Sequence, residues 1–189
     1  MNDAIRRCLT WYQAKKIAIS DPVVANSRDL FMAKLDNFYS DVKKHLPEEE
    51  VSLIVAIAGE IGNNCFDHNM AQWQDIPGCW FDYAFNENQI WFVIADRGQG
   101  ILSSLHRVDP SLKDDQSALE AAFHRTISGR SPEKRGNGLK LVREVVLEQP
   151  INLYFTSGDA EVWLRENDKV FRVGRGPQMI RGCLAKIEF

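Results

Sequence analysis

The sequence predicts an α+β protein, a two-layer α/β sandwich with a mixed, largely antiparallel sheet and helices on one face. Three observations carry this. Apolar residues recur at three- and four-residue steps over 49–68; aromatic and β-branched runs flank a short polar turn between 80 and 95; and strand-like runs return from 151 after a mostly helical stretch at 101–150. The order helix, hairpin, helices, hairpin, final strand is that of a sheet covered by helices.

Residues 1–20 predict a short helix, with Ile5, Leu9 and Tyr12 as its apolar side, running into a brief strand at 16–20. Pro22 then pushes Asp21 out of the helical region. A second helix is expected over 27–45, with Ser27 as its cap and Leu30, Phe31, Leu35, Phe38 and Val42 as a continuous apolar face; Pro47 ends it. The helix over 49–68 buries Ile54, Ile57, Ala58, Ile61 and Cys65, and Glu60, Asn64 and His68, four residues apart, form a polar row along the edge of that stripe. A loop with Pro77-Gly78 follows. Runs at 80–85 and 89–95 read as a hairpin about Asn86-Glu87-Asn88, and the second strand delivers Asp96 at its end. A short helix is expected at 118–125, and Gly136-Asn137-Gly138 opens another, with Leu139, Leu141, Val142, Val145 and Val146 as buried positions. Strands at 151–157, 161–165, 169–173 and 184–189 close the chain, with Ser157-Gly158-Asp159 and Glu166-Asn167-Asp168 as turns.

At 189 residues and 44% hydrophobic content the chain suits one domain with a small appendage, divided here into an N-terminal helical segment (1–47) and a ligand-binding domain (48–189). A formal charge of −3 and a pI near 5.8 give no basic bias, so no nucleic-acid partner is expected. The start has no apolar core with a cleavage site and no run is long enough to cross a bilayer, so a soluble, cytoplasmic protein with no membrane partner is expected. Cys8, Cys65, Cys79 and Cys183 lack the paired spacing of zinc or redox motifs and read as core thiols.

Three short segments carry chemistry. Asp96 at a strand end is followed by Gly98 and Gly100, whose missing side chains let backbone approach a flat ligand, although a strand-ending turn has the same composition. Gly136-Asn137-Gly138 before an apolar helix exposes amides that bind phosphate oxygens, although a glycine cap looks alike. The Glu60, Asn64, His68 row is, alone, ordinary solvation of a helix edge. Together and in this order, Glu60-Ile-Gly-Asn-Asn64, Asp96-Arg-Gly-Gln-Gly100 and Gly136-Asn-Gly-Leu139 resemble the boxes of the GHKL or Bergerat ATPase superfamily. That superfamily includes histidine kinases, type II topoisomerases, MutL-type ATPases and anti-sigma-factor serine kinases, and the resemblance runs from about residue 48 to the end.

The resemblance implies the Bergerat ATP-binding fold, with ATP and Mg2+ as ligands. Asp96 would accept the adenine amino group, with Gly98, Gly100 and Ile101 beside it. Asn64 would hold the metal, Glu60 would act as general base, and His68 would support them. Arg135, Gly136, Gly138 and Leu139 would meet the phosphates under a lid spanning 101–135. Where members often have Gly-Thr before the last strand this chain has Gly182-Cys183, so Thr156 or Ser157 is the expected substitute near adenine. His45, with no neighbouring acid, does not read as a phosphoacceptor, so no histidine-kinase dimerisation domain is expected in these residues. The implied activity is that of a Mg-ATP-dependent regulator of a partner protein, by hydrolysis or by γ-phosphate transfer to Ser or Thr. The alternatives are a non-catalytic nucleotide-gated binding module and a detached histidine-kinase catalytic domain.

Overall fold

Helix α3 (Glu48–Asp67) is the central support of the structure, a computed structural model that describes residues 3–14, 22–69, 72–73, 75–86, 89–125, 138–166 and 170–189. Glu48, Glu49 and Glu50 occupy its first turn, where carboxylates complement the positive end of the helix dipole. Its buried residues Val51, Ile54, Ile57, Ala58, Ile61 and Cys65 repeat at helical spacing and face the core. Ahead of it, α2 (Arg28–Val42) starts at Ser27, whose hydroxyl accepts from Leu30 N, and buries Phe31, Leu35, Phe38 and Val42. These α2 residues share one hydrophobic core with α3 and the sheet. The imidazole of His45, just past α2, stacks on Phe85 with ring centroids 4.7 Å apart.

The sheet has five strands in the order β1-β2-β3-β5-β4, and every pairing among the described residues is antiparallel. β1 (Val24–Ala25) is a two-residue edge; β2 (Cys79–Asn86) and β3 (Gln89–Asp96) form the first hairpin; β4 (Asn152–Leu164) and β5 (Arg172–Glu188) form the second. The α+β sandwich expected from the sequence is what the chain adopts. Phe81, Phe92, Ile94, Leu153, Phe155, Ala185 and Ile187 face the layer of α2, α3, α5 (Asp115–His124) and α6 (Gly138–Glu148), while the short α4 (Gly100–Leu105) packs on α5.

One helix lies apart from that layer. Helix α1 (Asp3–Gln13) covers the opposite face, where Cys8, Trp11 and Tyr12 pack on Trp80, Trp91, Val93, Ala95 and Leu184. Its buried side is therefore set by Cys8 and Trp11 beside Tyr12, with Leu9 only packed against the edge of the cluster. Strand β3 is sandwiched between the two layers, which is why Ile90 to Asp96 are buried without a break.

The expected turn at Ser157-Gly158-Asp159 is instead a bulge inside the continuous strand β4, with register shifts on both sides of Gly158. Gly158 has φ +64°, and a Cβ there would lie 2.0 Å from the Asp115 carboxylate, so the irregularity lets α5 approach the sheet. The strand expected at 16–20 and most of the turn at 166–168 lie outside the described residues. None of the described helices is long and apolar enough to cross a membrane.

A Cβ on Gly62 would lie 2.0 Å from the Phe31 ring, which is fully buried, so α2 rests directly on the α3 backbone. Gly62→Val is expected to lower unfolding free energy by about 2 kcal/mol through overpacking, read from urea denaturation midpoints at unchanged m-value.

Candidate functional site

The end of β3, the C-terminal half of α3 and the first turn of α6 meet in one pocket. Its lining includes Ile61, Asn64, Cys65 and His68 from α3, Ile94 and Asp96 from β3, Gly100, Ile101 and Ser104 from α4, and Leu139 from α6; Phe155, Cys183 and Ala185 form its sheet floor. The free space is about 30 Å³, roughly one water, so a larger ligand enters only as the walls part. Asp96 and Asn64, from segments about thirty residues apart in sequence, therefore open onto the same hollow.

Asp96 is buried at the centre of a row across three strands, paired in register with Cys79 on β2 and Cys183 on β5. Its Oδ1 accepts from Gly98 N at 2.7 Å and from Asn69 Nδ2 at 3.0 Å. Burial pushes the carboxyl up to about 6, against hydrogen bonds from Gly98, Asn69, Cys65 and the Cys183 backbone that act in the other direction. A carboxylate in such surroundings can accept a hydrogen bond from an amino group that enters the pocket.

The glycines around Asp96 are close-approach positions. A Cβ on Gly98 would lie 1.8 Å from Asn69 Oδ1, and one on Gly182, at φ +81°, would lie 2.2 Å from the Asp96 carbonyl oxygen. Gly100, at φ +79°, turns the chain into α4 and brings Ile101 N within 2.9 Å of Ser157 Oγ, which in turn donates to Gly182 O. The Cys183 thiol points at the same hydroxyl at 3.7 Å.

Glu60 stands one turn before Asn64 and closes against the second glycine box. A Cβ on Gly138 would lie 2.5 Å from Glu60 Oε2 and 3.7 Å from Asn64 Nδ2. Glu60 also lines an open groove between α2 and α3, with Leu35, Tyr39, Ser52, Val55, Ala56, Gly59 and Asn63. Glu60 therefore borders both the start of α6 and this open groove. Its row mate His68 is held with Nδ1 3.1 Å from Ser104 Oγ; burial, then the positive charge of Arg107, lowers its pKa, so it is neutral at pH 7.

Among the sequence candidates, Asn64, His68, Asp96, Gly100, Ile101 and Leu139 line one pocket, Gly98 is bonded to the Asp96 carboxylate, and Glu60 and Gly138 abut at its α6 side. Thr156 does not belong to this lining: its hydroxyl donates to Ala160 O, and strand alternation turns Phe155 and Ser157 toward the site in its place. Arg135 and Gly136 lie outside the described residues. Asn69 is the residue the sequence reading missed. It is buried, donates to Cys65 O and Asp96 Oδ1, and accepts from Gln99 N at 3.0 Å. The available signal was its place four residues after Cys65, a polar side chain continuing the buried stripe of α3.

The residues present fit a nucleotide carrying its own metal. Asp96 suits the amino edge of a purine, and the amide of Asn64 suits a cation already held by phosphates, which needs few protein ligands. Among the described residues no group of three His, Cys, Asp or Glu side chains is arranged to hold a metal ion.

No family model matches the sequence, and no curated protein matches it. Among solved structures, the chain is similar to the 43K ATPase domain of Thermus thermophilus gyrase B in complex with an aminocoumarin, at 17% identity and a TM-score of 0.38. That alignment covers 69% of this chain and 32% of the gyrase chain, so this chain spans about a third of that protein's length.

Because the folded pKa of Asp96 lies above the ordinary 3.8, the folded state holds the proton more tightly than the unfolded chain. The stabilisation from this group is complete below pH 3.8 and is lost as pH rises through about 6. Asp96→Asn is therefore expected to gain stability relative to the parent between pH 4 and pH 7, on the order of 3 kcal/mol, in urea titrations across that range.

Proposed function

We propose that this chain is a Mg-ATP-binding regulatory domain of the GHKL type, which hydrolyses ATP or transfers its γ-phosphate to a hydroxyl of a partner protein. The observation that carries this reading is the convergence of three segments distant in sequence: Asp96 and Asn64 line one pocket with Leu139, and Gly138 lies against Glu60. Asp96 accepts a hydrogen bond from the adenine amino group, Gly100 brings backbone to the pocket wall, and Ile101 and Leu139 cover the ring faces. The first amides of α6, from Gly138 onward, meet the phosphates at a helix N-terminus. Bound Mg2+ neutralises phosphate charge, and Asn64 is the residue that would hold it.

Glu60 is the general base of the proposal. As the acceptor oxygen forms its bond to the γ-phosphorus and the bond to the β-phosphate oxygen breaks, Glu60 takes the acceptor's proton and ADP leaves. The groove between α2 and α3 favours a protein hydroxyl over water alone, because it gives a macromolecule a route to the carboxylate from outside the nucleotide pocket. Domain boundaries at 1–47 and 48–189 and a cytoplasmic setting belong to this reading.

Incubation with γ-labelled Mg-ATP, alone and with proteins encoded alongside, separates the outcomes. Label on a partner's Ser or Thr is expected; release of phosphate alone selects hydrolysis, and bound nucleotide without turnover selects a binding module. Asp96→Asn is expected to weaken ATP binding, and binding to the parent protein is expected to weaken as pH falls below about 6, where Asp96 takes up its proton. Glu60→Ala is expected to keep ATP affinity within about twofold while turnover falls by about 10²–10⁴, and normal turnover in that variant would overturn the base assignment.

A further inference from the structure

The residue between Asp96 and Gly98 is Arg97, and its side chain leaves the nucleotide pocket altogether. Strand alternation sends it to the opposite face of the sheet, where it meets the end of α1. Nη1 donates to Trp11 O at 2.9 Å and to Tyr12 O, and Nη2 donates to Ala14 O at 2.9 Å. Nε and Nη2 also grip the Asp75 carboxylate, at 3.2 and 2.5 Å, and the guanidinium carbon lies 5.8 Å from the Trp11 ring centre. Helix α1 has no basic residue of its own in its last turn, so Arg97 supplies the positive charge and the donors that its terminal carbonyls require.

The rest of the α1 seat is poorly satisfied. Trp11 Nε1, Tyr12 OH, Trp80 Nε1 and Trp91 Nε1 are buried there and have no hydrogen-bond partner among the described residues. Each such donor loses water without recovering a bond, which offsets the apolar area buried by the same rings. Arg7 pairs with Asp82 at 2.9 Å and Gln13 with Gln178 at 3.3 Å, both at the surface. A helix seated on that balance responds to small changes in the Arg97 anchor.

We propose that Arg97 is a positioning residue for the adenine site, and that through it α1 tightens on the back of the sheet when a purine nucleotide fills the pocket. This rests on the nucleotide reading of Asp96 given above. The backbone of 96–98 serves both faces: Asp96 lines the pocket with Gly98 N bonded to its carboxylate, and Arg97 holds α1. A ligand that fixes Asp96 and Gly98 removes freedom that Arg97 otherwise loses on its own when it grips the α1 carbonyls, and the coupling acts equally in both directions.

The test uses the full chain and Mg-ADP as the probe, with calorimetric titration and amide hydrogen exchange. At saturating Mg-ADP, α1 amides are expected to exchange about five- to tenfold more slowly, with no comparable change in α2. Arg97→Ala is expected to weaken Mg-ADP binding by a similar factor and to make α1 exchange independent of nucleotide. Arg97→Lys, which keeps the charge without the planar fork, is expected to restore little. Cys8→Ser, which loosens α1 at a buried position one turn before the carbonyls that Arg97 grips, is expected to weaken Mg-ADP binding too, and the double variant to be no weaker than Arg97→Ala. Additive losses, or α1 exchange unchanged by bound Mg-ADP in the parent protein, would overturn the coupling while leaving nucleotide binding in place. Absence of any Mg-ADP binding would overturn the nucleotide reading, and the coupling with it.

Discussion

The Asp96 carboxylate, sealed at the end of a strand buried on both faces, is the constraint around which the rest of the structure is arranged. An ionised group in that position is costly unless donors surround it, and the fold supplies them from several directions: Gly98 from its own loop, Asn69 from beyond α3, and the β5 backbone at Cys183. Each donor fixes an element. Asn69 holds the end of α3 to β3, the absence of side chains at Gly98 and Gly182 lets two chain segments close on the acid, and Ser157 ties the start of α4 to β5. The pocket is thus a by-product of making one buried carboxylate tolerable.

Both layers of the sandwich depend on the same strand. On one side β3 presents Phe92 and Ile94 to the main helical layer, and on the other Trp91, Val93 and Ala95 to α1. A change in backbone at its end is felt on both faces at once. This is the physical reason that Asp96 and Arg97, neighbours in sequence, have unrelated surroundings.

Periodicity made most of this fold legible. The stripe Ile54, Ile57, Ala58, Ile61, Cys65 and the face Phe31, Leu35, Phe38, Val42 are the buried faces of α3 and α2, because a helix that must cover a sheet has few other ways to order its apolar residues. The hairpin of β2 and β3 was legible for the same reason. The bulge at Gly158 was not, because a glycine between polar residues reads as a turn unless one knows that the Asp115 carboxylate occupies the space of its side chain. The choice of Ser157 over Thr156 was equally hidden, since it depends on which strand face meets the pocket. Asn69 escaped notice because its role is set by partners far along the chain, Asp96 and Gln99.

The narrowness of the pocket has a kinetic meaning. Ile101 N is tied to Ser157 on the sheet and Ser104 to His68, so the wall that yields is Leu139, at the tip of α6. If the receptive form is a minor member of the resting ensemble, measured affinity is the intrinsic affinity reduced by that fraction, and capture proceeds more slowly than collision. Selectivity would then reside partly in the wall, since a ligand has to displace it before any polar contact with the acid is made.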